Sequence, residues 1–189
     1  MLENLLDLVK QYAGDSIINN PAIPNDKNEA AIGEAANAIS GGLQNMLNQG
    51  GFKDILKMFG GQSGIDENNI THSISGGLIE SLTGKLGVEQ QAASGIAGSL
   101  IPAVLKGLVQ RTNDPNDAGF NIQGLFNSLS GGKTAGIDLQ GMLSKVQGGM
   151  LDLDGDGDTD LQDIMRLFNQ MGTGGSGGLI GKLKGLFGG

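Results

Sequence analysis

Aliphatic residues recur along this chain at the spacing of a helix face, and glycine punctuates the pattern at break after break. There are 35 glycines in 189 residues, against an average usage of roughly 7%, while aromatic residues are 4% and tryptophan is absent. A core must therefore be built from Leu, Ile, Met and Ala. Because hydrophobic residues still reach 38% and keep the helical period, the chain is not a disordered glycine-rich polymer. The expected fold is all-α, a multihelical bundle of short glycine-punctuated helices. The glycines inside helices are expected to let a neighbouring helix approach closely, since each otherwise costs roughly 1 kcal/mol relative to alanine.

Taken in order, Leu2, Leu5, Leu6 and Val9 predict an amphipathic helix from Leu2 to Ala13 that stops near Gly14. Pro21 and Pro24 force a loop, because each restricts the residue before it to extended backbone. From about Asp26 to Gln49 an apolar stripe runs through Ile32, Ala35, Ala36, Ile39, Leu43, Met46 and Leu47, interrupted by Gly41 and Gly42. Glycine pairs bracket a short helix containing Phe52, Ile55, Leu56 and Phe59. Asp66 is read as the cap of a helix to about Leu82, and Pro102 makes the segment Glu89 to Gln110 either one kinked helix or two abutting ones.

A polar linker, Asn113 to Gly119, follows. Beyond it a weak repeat starts at Asn121, Asp138 and Asp160, each an N-cap residue before an apolar helix face. The linear organisation is thus a helical bundle at 1–112, short helices with an acidic loop at 113–171, and a glycine-rich linker with a short amphipathic helix at 172–189.

The acidic loop carries the chemistry. Counting Asp152 as position 1 puts carboxylates at positions 1, 3, 5 and 9 (Asp152, Asp154, Asp156, Asp160), Gly157 at 6, the Asp158 carbonyl at 7 and Asp163 at 12. A hard cation takes six to eight oxygens, and a chain curling tightly around the ion supplies them at this spacing. Starting instead at Asp154 would put Thr159 at the turn position and Met165 at the last ligand position, so that register fails. Six carboxylates without a basic neighbour also need a counter-ion. Two unit charges about 6 Å apart repel by roughly 3 kcal/mol at an effective dielectric of about 20.

The loop and the helix after it, Leu161 to Met171, resemble the dockerin and EF-hand calcium repeats. Asp163 at position 12 matches dockerins rather than the glutamate of EF-hands, and Thr159 at position 8 stands where a branched apolar residue is usual. No second loop is found, and Thr159 suits a solitary site. A second resemblance covers 65–112. Gly87-Val88, Ala92, Leu100-Ile101, Pro102 and Val104-Leu105 with Leu108 resemble the YidB-like bacterial family. That resemblance implies a multihelical domain of unknown function and no catalytic residues to carry over.

Composition excludes several functions. A net charge of −8 opposes nucleic-acid binding, which needs a basic face, and the absence of cysteine removes disulfides and thiolate sites. His72, the one histidine, has no triad or ligand partner at suitable spacing and reads as a surface residue. The N-terminus carries acidic residues where a signal peptide is basic, and no run of about eighteen consecutive apolar residues occurs, so a cytoplasmic protein is expected, with export lacking a cleaved signal left open. The last helix, Leu179 to Phe187, is basic through Lys182 and Lys184. Packing on its own domain or a neighbouring subunit is favoured over contact with a membrane surface. The expected function is non-enzymatic: one Ca2+ orders the C-terminal region for structural purposes or for a protein partner. A dockerin-like adaptor and a self-assembling or membrane-associated protein are the alternatives.

Overall fold

A computed structural model describes residues 2–61, 69–114, 116–117, 119–132 and 138–141. The fold is all-α, and the described residues contain no strand. Among the described residues six α-helices occur in order: α1 (Leu2–Ala13), α2 (Asn28–Asn48), α3 (Phe52–Phe59), α4 (Asn69–Leu86), α5 (Gln90–Thr112) and α6 (Ile122–Leu129). The chain divides into two compact units, with one boundary falling inside α2. The first is Met1–Gln44 with Gly64–Asn121, and the second combines the described residues of Asn45–Ser63 and Ile122–Gly189. The first thus extends past the linear boundary at 112, and the second is drawn from both sides of Gly64–Asn121.

In the first unit α5 is the centre, because α1, the turn after it and α4 all pack on it. Ala93, Ile96, Ala97, Leu100, Ile101, Val104, Leu105 and Leu108 are buried along it. These positions spread over more than one helix face, as expected of a helix covered from several sides. The helix is long and apolar enough to cross a membrane by length and composition, and half of its most apolar window is buried inside the fold. Of the two readings of Pro102, the structure has one continuous helix. Proline removes the amide that would bond the Gly98 carbonyl, and Gly98 is exposed.

The buried residues of α1 are Leu5, Leu8, Val9 and Ala13, with Leu6 half-buried, so the inward face is rotated from the stripe expected. The α-helix ends at Ala13, as its residues indicate, but the coiled backbone continues past it. It widens into a π-turn, Gly14–Ile18, closed by the Asn19 amide donating to the Gly14 carbonyl at 2.8 Å. The wider turn ends with Ile17 fully buried and Ile18 exposed. Asn20 then ends the helix: its Nδ2 donates to the Ser16 carbonyl at 3.1 Å and its Oδ1 accepts the Ala22 amide at 3.0 Å.

Helix α2 follows a short 3-10 turn, Asn25–Lys27, and runs unbroken through Gly41 and Gly42. Ala31, Ile32, Ala35, Ala36, Ile39 and Leu43 form its buried face. Two lysines tie α2 and its approach to α4. Lys27 Nζ donates to the Leu86 carbonyl at 2.8 Å, satisfying one of the orphan acceptors at the helix end. Lys85 Nζ reaches both oxygens of Glu34, at 2.9 and 2.8 Å. Gly87, at φ +69°, then turns the chain from α4 into α5 in a conformation that disfavours any Cβ.

The second unit is built on aromatic contact. Phe126 of α6 meets Phe52 edge-on at 5.2 Å and Phe59 at 6.1 Å, and all three rings are fully buried. Ile55, Leu56 and Met58 of α3 and Ile122, Leu125 and Leu129 of α6 are also buried. The two glycine pairs, Gly50-Gly51 and Gly60-Gly61, bracket α3 as the sequence indicates.

The glycines themselves have two explanations rather than one. Close approach holds at Gly42, where the side chain of Ile74 occupies the place of a Cβ, and at Gly107, where a Cβ would lie 2.6 Å from the Tyr12 hydroxyl oxygen. It does not hold at Gly33, Gly41, Gly76, Gly77, Gly84, Gly95 or Gly98, where a Cβ would meet nothing within 4 Å. These seven leave helix stability unused, because a glycine in a helix interior costs about 1 kcal/mol against alanine. Gly76→Ala and Gly95→Ala should therefore each stabilise the protein by up to about 1 kcal/mol. Gly42→Ala should destabilise it by about 1 kcal/mol or more, since the buried Ile74 must move. Chemical denaturation of the three variants checks both signs.

Candidate metal centre

All six expected ligands, Asp152, Asp154, Asp156, Asp158, Asp160 and Asp163, lie outside the described residues, as do Asp66, the helix expected at 161–171 and the tail at 172–189. The described chain leads up to this region through the first two copies of the repeat. Asp138 behaves as the repeat predicts: its Oδ1 accepts the Gly141 amide at 2.9 Å, the N-cap bond of the turn beginning at Leu139. Leu139 is fully buried, and its amide donates to the Gln123 side-chain oxygen at 3.2 Å. The first copy therefore holds the start of the second. The Asp138 cap was legible in the sequence, but this bond was not, because a side-chain to backbone bond spanning 16 residues leaves no local pattern.

Among the described residues no group of three or more His, Asp or Glu side chains is arranged to hold a metal ion. Within the described residues, the connection Asp114 to Phe120 shows how loop carboxylates can be spent on protein donors instead of a cation. Asp114 Oδ1 accepts the Asn116 amide at 2.9 Å. Asp117 Oδ1 accepts the amides of Gly119 and Phe120 at 3.0 and 3.2 Å, while its Oδ2 faces Arg111 Nε at 3.3 Å. The Arg111 guanidinium in turn lies 4.9 Å from the centre of the Phe120 ring. Asn4 Nδ2 donates to the Gly119 carbonyl at 2.9 Å and ties the loop to α1. The oxygens of Asp117 are committed to backbone donors and a guanidinium, so this loop is a structural clasp.

His72 is exposed on α4, as expected of an ordinary surface residue. Comparison of the chain with protein-family models, with characterised proteins and with solved structures gave no match. The dockerin, EF-hand and YidB-like resemblances rest on the residues quoted for them.

The clasp separates two contributions that substitution can resolve. Asp117→Asn keeps an acceptor for the two amides and loses the ion pair, which is partly exposed, so it should cost no more than about 1 kcal/mol. Asp117→Ala also strips the backbone acceptor and should cost about 1–2 kcal/mol beyond that. Thermal unfolding of both variants measures the difference, and equal costs would assign the role to the ion pair alone.

Proposed function

We propose that this chain is a non-enzymatic calcium-binding protein, a YidB-like helical bundle carrying one solitary loop whose bound Ca2+ orders the C-terminal region for structural or protein-interaction purposes. The observation that carries this reading is the donor spacing from Asp152 to Asp163. Five carboxylates and a backbone carbonyl stand at the six ligand positions of the twelve-residue pattern, with glycine at the turn. The donor set is entirely oxygen, which suits a hard cation and offers nothing to zinc or copper beyond carboxylate. Asp152, Asp154, Asp156, Asp160 and Asp163 would contribute side chains and Asp158 its carbonyl.

The ion is a structural element rather than a catalyst. Metal-assisted chemistry requires an open coordination position beside a cleft with an acid or base, and the chain has no cysteine and one histidine, exposed on α4. Calcium also supplies stability by mass action. Binding confined to the folded state adds roughly 2.7 kcal/mol when calcium is at a hundred times its dissociation constant.

Calorimetry tests the site directly. Calcium should bind one to one with a dissociation constant between about 10⁻⁷ and 10⁻³ M, and magnesium should compete poorly because it demands octahedral geometry at shorter distances. Asp154→Ala should abolish the heat. Absence of heat at millimolar calcium, or full binding by that variant, would overturn the assignment.

Hydrogen exchange tests the structural role. In chelator, exchange should accelerate from Asp138 onward, while α5 stays protected within the first unit. The bond from Leu139 to Gln123 and the Phe126 contacts give the loosening a route to α6 and α3, whose amides should show the next largest change. Unchanged exchange throughout would leave calcium without a structural role even if it binds.

A further inference from the structure

We draw no further inference here: the strongest candidate, the surface patch of small residues that Gly76 and Gly77 leave open on α4 and Gly95 and Gly98 on α5, carries nothing because nothing in the structure shows what covers it.

Discussion

Burial of α5 is the constraint on which the first unit depends. A helix with apolar residues spread around it cannot stand against water on one side, so it has to be covered by α1, the π-turn and α4 together. Fully burying one Leu or Ile side chain contributes about 1.5–3 kcal/mol, and α5 holds five such residues with under 3% exposure. That total greatly exceeds what any of the surface ion pairs supplies. The pairs Lys10–Glu29 and Lys85–Glu34 each have one largely exposed partner and orient the helices more than they stabilise them.

Glycine works against this burial in some places and permits it in others. Gly42 and Gly107 make room for Ile74 and Tyr12, side chains that a Cβ would displace. At the open positions the helix survives despite its glycines, because tertiary packing outweighs intrinsic propensity in a helix of this length. The serines add a smaller conflict of the same kind. Ser94 Oγ bonds the Gln90 carbonyl at 2.8 Å and Ser99 Oγ the Gly95 carbonyl at 3.0 Å, competing with the ladder of α5.

Much of this was legible in the chain, because helix periodicity and punctuation are local. The bounds of α1 and α3 and the course of α5 follow from residues within a few turns of one another. What escaped was set by packing from afar. The α-helix stops before Gly14 as read, but the π-turn that follows it and the burial of Ile17 leave no mark in the sequence pattern. The pairing of α3 with α6 could not be seen at all, since nothing local in Phe52 or Phe59 points to Phe126. The proposed metal loop is the reverse case, because its whole candidate ligand set is encoded in twelve consecutive residues and needs no distant partner to be read.

The aromatic cluster has a temporal side. Phe52 and Phe59 lie before α4 and α5, and Phe126 lies after them, so α3 leaves the ribosome well ahead of its partner ring. At about 5 to 20 residues per second, seconds pass before α6 is made. Through that interval Phe52, Ile55, Leu56, Met58 and Phe59 form an apolar face without Phe126 to close it. The first unit can gather α4 and α5 meanwhile, but the second cannot assemble vectorially. Its nascent α3 therefore keeps that face open to other apolar partners until α6 has been made.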